Sequence, residues 1–281
     1  MICKRIVPCT ELRHFIREYL VAHFLFQDQS KLPPARAYPA NPEEGIRFLI
    51  IGKLFSTNPQ TGKTIETPTI SIIGQPTIRQ NLQITHEYLM LYVRFQPGSL
   101  FKLLRIPMTM LIDQHIDATA ILGNEIQEVY EQLSYCTFYD EMISLLNNYF
   151  MKKLCCLKND SHPVDNLGKI ILQNPQGFNL KKAANEACLS YRPFEKRFEK
   201  LTGVTPKYYA RICRFYQAFE LKEHNPNLDW LSIAVRTGYN DYQHLVKDFK
   251  EFSGTTPNVL MGENLNSPSR AFSSSSDFRG I

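Results

Sequence analysis

The chain has 281 residues, 43% of them apolar and 21% charged, with a formal net charge of +5. That supply of apolar side chains suffices for two domains with cores of their own and excludes wholesale disorder. No apolar run nears the ~20 residues of a membrane span, and the opening MICKRIVPCTELRHF lacks the apolar stretch of a secretory signal, so a cytoplasmic protein is expected.

The first hundred residues have a strand-and-turn texture. Residues 46–51 (IRFLII), 69–73 (TISII) and 88–95 (YLMLYVRF) are rich in β-branched and aromatic side chains. Asn41-Pro42, Asn58-Pro59, Thr61-Gly62 and Gln75-Pro76 separate them as turn signals. No helical crossover intervenes, which disfavours parallel pairing and predicts an antiparallel sheet or open barrel. Residues 11–26 predict a segment that opens as helix before extending. Phe24, Phe26, Tyr38, Phe48, Tyr88, Tyr92 and Phe95 recur at strand spacing, which favours core packing over the lining of a pocket.

After Gly98 the texture turns helical, with Ser99 the predicted cap of a helix over 100–104 and longer helices over 124–133 and 138–157. Catalytic patterns are weak. His86-Glu87 lacks the second histidine of a zinc-protease motif, and no glycine-rich phosphate loop occurs. Asp113, His115 and Asp117 alternate like half a metal site, but a turn before a helix explains them as well. Neither a cofactor nor a bound metal is expected. The seven cysteines include no C-x-x-C pair, which predicts reduced, mostly buried thiols, with redox sensing the alternative.

Residues 159–163 are polar and end in proline, marking a linker between an N-terminal domain (1–158) and a C-terminal domain (164–262). The C-terminal domain holds 14 Lys plus Arg against 10 Asp plus Glu, so the positive excess is concentrated there. A helix is predicted over 164–173, a turn at 174–177, and a helix capped by Asn179 that runs to Cys188. Ser190 and Asp241 are N-caps of two further helices stopped by Gly203 and Gly254, and Asp229 caps another. Residues 206–222 predict one continuous helix that buries Tyr209, Ile212, Cys213, Tyr216 and Phe219.

A shift of 51 positions, with no gap, superposes Leu180 on Leu231, Ala183 on Ala234, Ser190 on Asp241, Lys196 on Lys247, Phe198 on Phe249, Gly203 on Gly254 and Pro206 on Pro257. A shared register of core, cap and stop residues means two copies of one supersecondary unit, each a pair of helices joined by a tight turn. Residues 263–281, rich in Asn and Ser, read as a disordered tail.

Gly238-Tyr-Asn-Asp241, His244-Leu245, Phe249-Lys250 and Gly254-Thr-Thr-Pro257, with the weaker partner run Ser190-Tyr-Arg192-Pro-Phe194, resemble the paired helix-turn-helix domain of AraC/XylS-type bacterial transcription regulators. Ile6-Val-Pro8, Glu44-Gly45 and Phe95-Gln-Pro-Gly98 are similar to an uncharacterised sensor-like domain that precedes one subgroup of them. The fold implied is α+β. A strand-rich N-terminal domain (cupin-like or an open barrel) is followed by helices, then an all-α domain with two helix-turn-helix units on a long connecting helix.

The resemblance implies base contacts from Arg192, Glu195 and Lys196 in the first unit and from Tyr242, Gln243, Val246 and Lys247 in the second. Lysine stands at 196 and 247 where the family more often has arginine, so planar bidentate recognition is softer at both. Lys181, Lys207, Arg211 and Lys250 are candidates for phosphate. His244 is read as structural or phosphate-facing, and Arg214 as a tie to a neighbouring unit. Double-stranded DNA is the implied partner; RNA polymerase, a small-molecule effector and a second copy of the chain accompany it in the family. The alternative is a protein-interaction module on a helix-turn-helix frame that no longer binds DNA, kept open by the Glu195 and Asp248 carboxylates near the groove-facing side.

Overall fold

The structure, a computed structural model, describes residues 2–28, 32–157 and 162–265. Ten strands come first: β1 (Ile2–Ile6), β2 (Ile16–Leu25), β3 (Arg36–Tyr38), β4 (Gly45–Ile51), β5 (Leu54–Thr57), β6 (Thr64–Glu66), β7 (Ile70–Ile73), β8 (Gln80–Ile84), β9 (Glu87–Phe95) and β10 (His115–Asp117). They form a six-stranded sheet in the order β1-β2-β9-β4-β7-β10 and a four-stranded sheet in the order β3-β8-β5-β6. Neighbouring strands pair antiparallel, and the two sheets do not close into a barrel. The predicted runs at 46–51, 69–73 and 88–95 correspond to β4, β7 and β9. In the 11–26 segment, by contrast, only a 3-10 turn at Thr10–Leu12 is helical before β2 begins.

Strand alternation divides the large sheet into two faces. Tyr19, Val21, Ile46, Phe48, Leu91, Val93 and Phe95 point to the main core, which is closed by the helices α3 (Asn124–Tyr135) and α4 (Tyr139–Cys155). Ala22, Phe24, Leu49 and Tyr88 point the other way, toward the small sheet and the partly buried Leu82 and Ile84 of β8. The aromatic residues are therefore mainly packing. Two short helices, α1 (Ser99–Leu104) and α2 (Thr119–Leu122), complete this half.

The predicted cap of α1 is corrected by the structure. Ser99 is the first helical residue, and the cap position belongs to Gly98 in the left-handed conformation, φ 81°. The free amide end is met instead by the buried Glu44 carboxyl, whose Oε1 accepts from the Leu100 N–H at 3.0 Å. Burial pushes this carboxyl up from its ordinary 4.5 to about 8, against the opposing pull of the helix amides.

The all-α half contains α5 (Leu167–Gln173), α6 (Leu180–Glu186), α7 (Tyr191–Thr202), α8 (Pro206–His224), α9 (Trp230–Arg236), α10 (Tyr242–Ser253) and α11 (Pro257–Leu265). The first predicted helix, 164–173, begins as a 3-10 turn at Pro163–Asn166 and becomes α5. α11 runs three residues into the stretch read as a tail, because Leu260 is buried and anchors it; residues 266–281 lie outside the described residues, as do 158–161 of the predicted linker.

An acid whose folded pKa is raised binds a proton in the native state that the unfolded chain has already released. Glu44 should therefore make stability fall as pH rises from about 4.5 to about 8. Glu44→Gln keeps an acceptor for Leu100 and removes the ionisation. Urea denaturation across that range should show a flatter stability profile for the variant than for the parent protein.

Candidate nucleic-acid interface

Each unit is built by the same local chemistry. In the first, the Asn179 side chain accepts from the Lys182 N–H and starts α6; in the second, Asp229 accepts from Ser232 and starts α9. After each scaffold helix the chain turns through a left-handed residue, Cys188 (φ 53°) in one and Gly238 (φ 75°) in the other. The following amides close the turns, Leu189 N–H on the Ala184 carbonyl and Tyr239 N–H on that of Ala234. The second helices, α7 and α10, then run twelve residues each to Gly203 (φ 91°) and Gly254 (φ 69°). Glycine is needed at both stops because L side chains clash in that region.

These bonds correct the gapless repeat. The scaffold helices and their turns are offset by 50, so Leu180 matches Trp230 and Ala184 matches Ala234, whereas α7 and α10 are offset by 51. The second unit thus has one extra residue, Asn240, between its turn and the Asp241 cap. The caps also differ. Asp241 accepts from the His244 N–H at 2.7 Å, while Ser190 occupies the cap position with no side-chain bond.

The seven expected base readers lie in the first halves of α7 and α10. Arg192, Lys196, Gln243 and Lys247 are exposed; Glu195, Tyr242 and Val246 are half-buried. On the opposite faces Phe194, Phe198 and Leu201, and Leu245, Phe249 and Phe252, enter two separate cores that α8 bridges. At 1.5 Å per residue the nineteen residues of α8 span about 28 Å. Tyr209, Ile212, Cys213 and Phe219 are buried along it as expected, and Tyr216 is half-buried.

Residues 183–262 match the family described as "Helix-turn-helix domain", and residues 4–117 match "Domain of unknown function (DUF6597)". The chain carries an AraC-type helix-turn-helix domain behind a domain of unknown function. Similar solved structures include ToxT from Vibrio cholerae O395, at 13% identity over 89% of this chain and 98% of that chain, with a TM-score of 0.44. The DNA-binding domain of AdpA, described as a global transcriptional factor in complex with a target DNA, is 24% identical over 40% of this chain and 96% of its own, with a TM-score of 0.33. The xylose-binding transcription activator XylR is 18% identical over 49% of this chain and 40% of its own, with a TM-score of 0.31. No curated protein matches the chain.

Within the AraC-type domain, the expected phosphate candidates divide. Lys181, Lys207 and Lys250 are exposed, while the His244 ring lies edge-on against Tyr239 with centroids 5.5 Å apart. Arg211 is directed elsewhere: its guanidinium meets Asp248 at 2.6 Å and Glu251 at 2.5 Å, both on α10. Arg214 reaches the same Asp248 at 3.5 Å and lies over the Tyr239 ring, so it does tie α8 to the second unit. Asp248 is fully buried and also accepts from the Tyr239 hydroxyl at 3.0 Å. It faces the connecting helix, not the groove-facing side where the sequence had placed it.

The N-terminal domain grips the far ends of both reading helices. Ala40 inserts into the second core, and its N–H donates to the Phe252 carbonyl at 3.0 Å. Arg79 donates to the Ser253 carbonyl and pairs with Glu263 at 2.8 Å. At the first unit, Phe101 and Ile112 pack against its core, and Lys102 shares Asp165 with Arg197, each 3.2 Å away. These contacts fall in the last turn of each reading helix or beyond, away from the exposed positions.

The remaining candidates are structural. Asp113 accepts from the Thr77 and Ile78 amides, and Asp117 from Thr119. Among the described residues no cluster of metal-ligating side chains occurs, and no helix is long and apolar enough to cross a membrane. All seven cysteines are free, but only Cys213 is buried; Cys155, Cys156 and Cys188 are exposed, contrary to the expectation of mostly buried thiols. Their neighbours on α4 and in the first turn face solvent, so the positions never enter a core.

Truncating Asp248→Ala removes the common partner of two arginines and a tyrosine. The AraC-type domain should lose about 3 kcal/mol of stability, measured by urea denaturation of the full chain. Arg79→Ala should raise amide hydrogen exchange over residues 249–253 while leaving residues 191–198 unchanged, because only the second reading helix loses a terminal partner.

Proposed function

We propose that this protein is a sequence-specific transcription regulator whose two reading helices, α7 and α10, enter successive major grooves of one duplex. The observation that carries the reading is the duplicated unit itself: two equivalent helices, each stopped by glycine, with Arg192, Lys196, Gln243 and Lys247 exposed in their first halves. Arg192 is suited to guanine O6 and N7, Gln243 to adenine, Glu195 to the cytosine amino group and Val246 to a thymine methyl. Lys181, Lys207 and Lys250 supply phosphate charge that positions the domain without reading sequence. The rod of about 28 Å is commensurate with grooves about 34 Å apart.

The N-terminal domain modulates binding through its hold on the ends of both reading helices, under the control of a small-molecule effector or a second copy of the chain. RNA polymerase is the downstream partner. The competing reading, a partner-docking frame without DNA, leaned on Glu195 and Asp248. Burial of Asp248 against α8 withdraws half of that support.

Binding-site selection tests the assignment. Arg192→Ala and Lys247→Ala should each relax base preference at separate positions about one helical turn apart, costing about 1–3 kcal/mol at the affected base. Affinity should also fall steeply with salt, with a slope near −0.9 per phosphate contacted. Retention of the parental preference by both variants refutes the residue assignment.

A further inference from the structure

The layer between the two sheets contains a charge that the fold leaves uncompensated. Arg47 lies on β4, opposite Tyr92 of β9 on one side and Ser71 of β7 on the other. It is 4% exposed. Its polar contacts are two long ones through a single terminal nitrogen, to Ser71 Oγ and His115 Nδ1, both at 3.4 Å. The Nε of Arg47 has no partner, and neither does the buried Tyr92 hydroxyl directly across the strand pair.

The contrast with Arg94 shows what is missing. Arg94, on the same face of β9 two residues beyond Tyr92, holds Glu18 at 2.7 Å and Glu43 at 3.0 Å. Glu43 is further engaged by the Tyr38 hydroxyl. Among the described residues, Arg47 makes no ion pair. A guanidinium cannot shed its proton at any ordinary pH, so burial does not neutralise it. A buried charge without a partner destabilises a fold, and an apolar side chain of similar length would serve packing better.

We propose that Arg47 anchors a binding site for a small monocarboxylate, whose two oxygens take the guanidinium edge while the Tyr92 hydroxyl donates to one of them. Planar carboxylate matches the guanidinium fork in geometry. One uncompensated positive charge calls for one negative charge, and a dianion such as phosphate would leave a net negative charge buried. His115 adds none, since burial and the neighbouring Arg47 charge push it down to about 3 and keep it neutral.

The site is placed to influence the second reading helix. Two residues from His115, Asp113 holds the Thr77 and Ile78 amides, and Arg79 follows with its link to Ser253 and Glu263. That consequence rests on the regulator reading above; occupancy of the site does not.

The test titrates the full chain with acetate and with benzoate, against chloride at equal ionic strength, reading Tm and the side-chain Nε–H resonance of Arg47. A saturable rise in Tm together with a shift of that resonance is expected. Arg47→Met should bind at least about tenfold more weakly. It should melt at or above the parental temperature without acid, because it removes the unpaired charge. Absence of a saturable response to either acid overturns the proposal. So does a response that survives in Arg47→Met, or an acid-independent fall in its Tm, which would make the guanidinium a packing element. DNA affinity measured without acid tests the regulator reading separately, so the two fail independently.

Discussion

The buried Asp248 carboxylate is the interaction on which the presentation of the second reading helix depends. It sits on the inner face of α10, wholly out of solvent, with Arg211 and Arg214 of α8 and the Tyr239 hydroxyl of the preceding turn converging on it. Hydrophobic packing by Leu245, Phe249 and Phe252 holds α10 against α8, but such packing is non-directional and tolerates sliding or rotation. Fork-shaped donors meeting one buried acceptor do not tolerate it. The clamp therefore fixes the rotation of α10 about its own axis, and with it the direction in which Gln243 and Lys247 project.

The first reading helix is fixed differently. At the position equivalent to Asp248, α7 carries Arg197, so the sign of the inward charge is reversed. Its partner is Asp165, which also receives Lys102 from α1 of the N-terminal domain. One unit is thus oriented by a clamp internal to the AraC-type domain, and the other by a pair whose third member belongs to the neighbouring domain. The chemistry of the repeat is duplicated; its dependence on the rest of the chain is not.

What could be read from sequence was what is decided locally. Asn179, Asp229 and Asp241 cap helices through bonds to amides three residues on, and Gly203 and Gly254 stop helices by their own conformational freedom. The strand runs were legible because both faces of the large sheet are buried and select β-branched and aromatic residues. The cap of α1 was not legible, because its acceptor is Glu44, 56 positions away in sequence. Nor was the engagement of Arg211, since its acceptors lie 37 and 40 residues on. The inserted Asn240 was masked because a one-residue slip still superposes apolar Leu180 on apolar Leu231 and Ala183 on Ala234. Only the turn hydrogen bonds, Leu189 to Ala184 and Tyr239 to Ala234, resolve the register.

That insertion bears on how the two units differ as readers. Where the first unit passes straight from its turn to Ser190, the second has Tyr239, Asn240 and then Asp241. The added residue lets Tyr239 fold inward, 4% exposed, to meet Asp248 and lie beneath Arg214, while the capping carboxylate still reaches the His244 amide. The turn is thereby welded to the helix it precedes. In the first unit Leu189 is only half-buried, Cys188 holds a left-handed conformation without the freedom of glycine, and Ser190 makes no side-chain cap. A left-handed conformation at a residue other than glycine stores about 1–2 kcal/mol of strain. The start of α7 is consequently the less tightly secured of the two, and its orientation leans on the far end, where Phe101, Ile112 and Lys102 hold it. Any change in how the N-terminal domain sits would therefore act on both reading helices, but the first has fewer restraints of its own to resist it.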